Sequence, residues 1–130
     1  MSDFKTSVAA ATSGMQAQAA RLRHVSENIA NADTPGYRRK VVTFDAVRQA
    51  GHLNGQVQTG PVTLDQTTLP NIFDPSHPLA NEQGYFEGSN VDLVIEIADA
   101  REAQRSYEAN LKMFEQTRQM SKRLLELLRR

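Results

Sequence analysis

The residues that could do chemistry are few and scattered. His24, His52 and His77 lie far apart in different contexts, and the chain has no cysteine. A zinc site needs three or four ligands at recognisable spacings, and Asp74 with His77 supplies only a pair. No serine sits in G-x-S-x-G, no glycine-rich loop joins a strand to a helix, and no P-loop lysine is present. The carboxylates come without a context that would raise a pKa for acid–base work. These patterns point away from an enzyme, from a small-molecule substrate and from any cofactor or metal. Arg38-Arg39-Lys40 form a cationic run that could touch phosphate, but no aromatics interleave it as single-stranded nucleic acid would require. Three cations after a turn are more often solvated or paired with acidic neighbours.

The rest of the chain is built to position something other than a reaction. Its 130 residues are one domain's worth, 39% hydrophobic and without tryptophan, so a core is possible but thin. The zero net charge is distributed unevenly: +3 over residues 1–40, −7 over 41–100 and +4 over 101–130. Such alternation suits like molecules packing with staggered charge. No basic stretch precedes an unbroken apolar run at the N-terminus, so no cleavable secretory signal is expected. No run is long enough to span a membrane.

Phe4, Val8, Ala11, Met15, Gln18, Leu22, Val25 and Ile29 recur at steps of three and four. This is a narrow seam flanked by alanines, the pattern of a coiled coil. Such a seam buries little area and is marginal in water without a partner. "NADTPGY" ends the helix: Thr34 before Pro35 is pushed out of the α region, and Pro35-Gly36 fits the centre of a type II turn. From Asn90, taken as an N-cap, a second pattern runs to the end through Leu93, Ile97, Ala100, Ala103, Tyr107, Leu111, Phe114, Met120, Leu124 and Leu128. At that length it is a rod of about 60 Å. Between the two lie six of the seven glycines and all five prolines, read as an irregular, β-poor excursion with short extended pieces near 41–47, 56–58 and 62–64. The expected fold is therefore mainly α, with terminal helices pairing as a coiled coil: 1–33, a turn and irregular segment over 34–88, and 89–130. Asn28, Asn31, Asn90 and Asn110 either cap locally or hydrogen-bond between packed helices.

The N-terminal stretch "SENIANADTPGYRRK" resembles the signature of bacterial flagellar rod and hook proteins at Asn28, Ile29, Ala30, Asn31, Thr34, Pro35, Gly36 and Tyr37. "GSNVDLVIEIADAREAQRSYEAN" resembles their C-terminal signature, through Ser89, Asn90, Asp92, Gln104, Arg105, Tyr107 and Asn110. "DPSHPLANEQGYFEG" is similar to a segment typical of proximal rod subunits, and residues 45–70 match nothing. The resemblance implies a structural subunit of the proximal rod. It would polymerise helically around the export channel, transmit torque, span the periplasm and leave the cell by the flagellar type III export apparatus. It also implies as partners copies of itself, the proximal rod subunits FlgB and FlgF, the distal rod protein FlgG and the rod-to-ring junction protein FliE. The subunit-packing seam would be Phe4, Val8, Ala11, Met15, Leu22, Val25, Ile29, Tyr107, Leu111, Phe114, Leu124 and Leu128. A self-contained helical adaptor or export chaperone, and a membrane-surface binder through residues 118–130, are the competing readings.

Because the seams need neighbours, the dilute isolated chain is expected to be only partly helical and to gain helix on assembly. Circular dichroism of dilute monomer checks this; full, cooperatively melting helicity would contradict it.

Overall fold

A computed structural model describes residues 2–129, with the side chain of Ser2 left aside. Met1 and Arg130, included in the terminal-helix expectation, lie outside the described residues. Two long helices, α1 (Ser2–Ala30) and α2 (Leu93–Leu128), enclose six short strands in sequence.

The helices run antiparallel. Asn28 meets Glu96, Arg21 meets Asp99 and Glu102, and Gly14 lies against Asn110. The face of α1 that turns inward is small: Ala11, Gly14 and Ala17 are buried, with Val25 and Asn28 below them. On α2 the buried positions are Glu96 and Ala103. Small residues let the backbones approach. A Cβ on Gly14 would fall within 2.7–2.9 Å of the Asn110 side chain, so only glycine fits while Asn110 holds its bond to the Ser106 carbonyl.

The middle segment is not β-poor. Three antiparallel two-stranded sheets occupy it: β1 (Lys40–Val41) with β4 (Thr63–Leu64), β2 (Phe44–Gln49) with β3 (His52–Thr59), and β5 (Asn71–Phe73) with β6 (Tyr85–Glu87). The β2–β3 hairpin turns through Ala50 and Gly51, both at positive φ (53° and 81°), as a two-residue primed turn requires. Ala-Gly is a poor signal for that turn, and "DAVRQ" has low strand propensity. Packing supplies what propensity lacks. The hairpin lies on α1, where the Val57 amide donates to Ser13 Oγ and Gly55 passes close to Ala10.

The turn after α1 forms as the sequence reading expects. The Tyr37 amide donates to the Thr34 carbonyl at 3.2 Å, and Gly36 takes φ 76°. The start of α2 differs. Its N-cap is Asp92, whose carboxylate accepts from the Val94 amide, rather than Asn90, which a tertiary contact claims.

If the close approach at Gly14 sets the helix spacing, Gly14→Ala alone will forfeit the gain of about 1 kcal/mol that alanine normally brings to a helix. In an Asn110→Ala background the same change will stabilise by about that amount. Urea denaturation of the four variants of this cycle measures the difference.

Candidate functional site

The polar residues of the two sequence signatures converge where α1 ends and α2 begins. Asn28 and Glu96 are each 0% exposed, the two largest fully buried side chains among the described residues. A buried amide or carboxylate is costly unless its hydrogen-bonding capacity is met. That of Asn28 is met four times over. Its Nδ2 donates to the Lys40 carbonyl (3.0 Å) and to Glu96 Oε2 (3.3 Å). Its Oδ1 accepts from the Tyr37 hydroxyl and the Lys40 amide, both at 2.8 Å. The Pro35-Gly36 turn makes this possible by folding the chain back so that residues 37–40 run beside the last turn of α1.

Glu96 is neutralised by Arg39, whose Nε lies 2.6 Å from Oε1. The same guanidinium reaches Asp65 at 3.2 Å and Asp99 at 3.7 Å. Burial alone would lower the Arg39 pKa, but its hydrogen bonds to Glu96 and Asp65 more than offset that and raise it. Asn90 completes the knot by accepting from the Arg39 amide (2.7 Å) and donating to the carbonyls of Asp65 and Thr67. Arg38 donates to the same two carbonyls, and Lys40 Nζ pairs with Glu27 at 2.5 Å. The three consecutive cations are thus engaged inside the molecule.

The ends of this network titrate in a defined sense. Thr67, through its hydroxyl and amide, and then Arg39 hold the Asp65 carboxyl below its ordinary range. The hydrogen bond from Lys40 does the same for Glu27, and the reciprocal bond raises Lys40. Depressed carboxylate values mean stability that is present above the unfolded-state pKa, near pH 4, and lost as pH falls through the folded-state value. The raised Lys40 value means a contribution present at neutral pH and lost only at strongly alkaline pH.

The remaining signature residues are spread over the surface. Asn31 acts locally, donating to the Glu27 carbonyl and accepting from Thr34; Gln104 and Arg105 are exposed. Of the expected seam, Ala11 and Val25 are buried, Phe4, Val8, Met15, Leu22, Tyr107 and Phe114 are half-buried, and Ile29, Leu111, Leu124 and Leu128 are exposed. Large apolar side chains on α2 therefore face outward, Leu128 being 73% exposed. Sequence reasoning missed Glu96, Arg39 and Asp65. A carboxylate amid "LVIEI" was the available signal for the first.

The C-terminal arm of the knot lies in residues 82–127, which match the family model described as "Flagellar basal body rod FlgEFG protein C-terminal". The model "Flagella basal body rod protein" matches residues 9–38, the arm carrying Asn28 and Tyr37. The chain is 43% identical to the flagellar basal-body rod protein FlgC of Agrobacterium fabrum, an alignment covering 92% of this chain and 91% of that one. It is 33% identical to the FlgC of Salmonella typhimurium (90% and 92%) and 31% identical to that of Bacillus subtilis (88% and 91%). The chain belongs to the FlgC family of flagellar basal-body rod proteins. It is a structural component of the flagellar basal body, assembled with other rod components, and not an enzyme.

Asn28→Ala strips partners from Tyr37, the Lys40 backbone and Glu96, and should cost about 3 kcal/mol in denaturant melts. Asn28→Asp sets a second carboxylate beside Glu96, so one of the two must hold a proton to remain buried. Its deficit relative to wild type should therefore shrink between about pH 8 and pH 5, whereas that of Asn28→Ala should not.

Proposed function

We propose that this rod subunit belongs to the proximal rod. There it polymerises helically around the export channel and transmits torque across the periplasm. The observation that carries this reading is how the two helices divide their surfaces. The buried face that α1 and α2 share is mostly alanine, glycine and amides with a single valine, Val25, and Arg21 of α1 pairs with Asp99 and Glu102 of α2 at its edge. The bulky apolar residues of α2, Leu93, Val94, Ile97, Met120, Leu124 and Leu128 among them, are left exposed. An apolar surface on this scale is an interaction surface. A heterologous contact that repeats without closing gives a helical tube. Residues 1–33 and 89–130 form its inner wall, pairing as a coiled coil once neighbours cover the outward seams, and residues 34–88 lie on the outside. The Pro35-Gly36 turn lets the middle segment leave the crowded wall. Its neighbours are its own copies, FlgB, FlgF, FlgG and FliE, and it reaches the rod through the type III export apparatus.

Cells lacking the chain and supplied with the Leu124→Glu, Leu128→Glu variant test the reading. The soluble monomer should keep the wild-type helix content, because neither side chain is buried within it. Motility should be lost and purified basal bodies should lack a rod. Normal swimming, or a chain that stays in the cytoplasm as a small closed oligomer, would favour the adaptor or chaperone reading instead.

A further inference from the structure

The β5–β6 hairpin and its loop, residues 71–87, stand apart from the rest of the molecule. The ribbon packs extensively on neither helix and on no other strand. It is tied at its base, where the Gly36 amide donates to the Glu87 carbonyl and the Gly88 amide to the Pro70 carbonyl. A two-stranded ribbon with nothing behind it is marginal in water, yet this one is closely built. Asn81 Oδ1 accepts from the Gln83 and Tyr85 amides, both at 3.0 Å. Asp74 Oδ1 accepts from the Ser76 amide and hydroxyl. His77 stacks on Phe86 with ring centroids 3.9 Å apart.

That order presents a defined surface. Phe73 pairs with Tyr85 and Asn71 with Glu87, two residues farther along each strand, so these four side chains share one face. Phe73 and Tyr85 are 61% and 42% exposed, their rings tilted at 57° with centroids 5.1 Å apart. Gly84 leaves room for the pair, since a Cβ there would fall 2.8 Å from the Phe73 ring. Glu87 is exposed beside them and, like Asp74 and Glu82, forms no ion pair among the described residues. No lysine or arginine occurs between Arg48 and Arg101, so the ribbon has no such cation of its own. An aromatic pair attracts a cation to its faces. A guanidinium suits it best, because the plane can stack while its donors stay free for a carboxylate.

We propose that this face of the ribbon docks an arginine-bearing segment of a different protein in the basal body, the guanidinium lying over Phe73 and Tyr85 and pairing with Glu87. The proposal rests on the rod reading above. The two helix signatures are common to rod and hook proteins, whereas the ribbon's segment is the one similar to proximal rod subunits. A surface restricted in this way suits a neighbour met only near the base of the rod, not a contact that every subunit makes with its like.

Photo-crosslinking in assembled basal bodies tests it. The probe p-benzoylphenylalanine at Asn71, which shares the face without belonging to the aromatic pair, should link the chain to one segment of a different protein. Mass spectrometry should find an arginine next to the linked residue. Glu87→Gln, which keeps the shape of the side chain, should lower the yield of that product. Glu87→Arg should abolish swimming, and changing the partner's arginine to glutamate should restore it. The soluble Glu87→Arg chain should keep the wild-type circular dichroism, because the Glu87 carboxylate forms no ion pair within it; should it misfold, the Glu87→Gln yield decides. Assembled basal bodies that give no product, a product with a second copy of the chain, or a linked segment without arginine would overturn the docking and leave the rod reading standing. Swimming that survives Glu87→Arg, or a partner charge swap that restores nothing, would do the same. Absence of the wild-type chain from basal bodies would remove both.

Discussion

A carboxylate with no exposed surface organises this molecule. Glu96 lies one turn into α2, where the approach of α1 removes it from water. The Coulombic attraction of one arginine and the amide of Asn28 must replace its hydration. Arg39 arrives there only because the chain turns sharply after α1. It stays because Asp65, Asp99 and Asn90 hold its remaining donors and its backbone. Residues 28, 39, 65, 90 and 96 come from five separate places in the sequence. Removing Arg39 would leave the buried Glu96 carboxylate without its counter-charge, and removing Glu96 would leave one Asn28 amide hydrogen without its acceptor. The knot therefore fixes the register of the two helices and the exit direction of the middle segment together.

The helix contact above the knot contributes closeness rather than area. Ala11, Gly14, Ala17 and Ala103 bury few carbons, so the hydrophobic gain of folding is modest. A chain built this way keeps its large apolar residues for surfaces that face outward. In a rod subunit such outward apolar surfaces are available to neighbouring components of the assembly.

Much of this was legible in the sequence, and the failures have physical causes. The two long periodic patterns were read correctly as helices, and the turn at Thr34-Pro35-Gly36 followed from local sterics. The inward face of α1 was another matter. Apolar periodicity selects Ala11 and Val25, which are buried, but also Met15 and Ile29, where the molecule instead buries Gly14 and Asn28, one residue earlier in each case. The phase is set by the polar knot and by how closely two backbones can pack, neither of which periodicity measures. The strands of the middle segment were underestimated for a related reason. In the β2–β3 hairpin "DAVRQ" and the Ala50-Gly51 turn are weak signals, and packing on α1 through Ser13 and Ala10 helps hold it; the other strands are only two or three residues long, too short for an alternating pattern to show. Asn90 looked like a helix cap and became a bridge to Arg39, leaving the cap to Asp92.

What the sequence determined alone is whatever depends on neighbours within a few residues: two helices, the place where the first stops, and the signatures that carry the family. What only the tertiary structure decided is which of those residues are hidden. Burial depends on segments far apart along the chain meeting at a common point. The decisive quantity, the desolvation of Glu96 and Asn28, exists only after they have met.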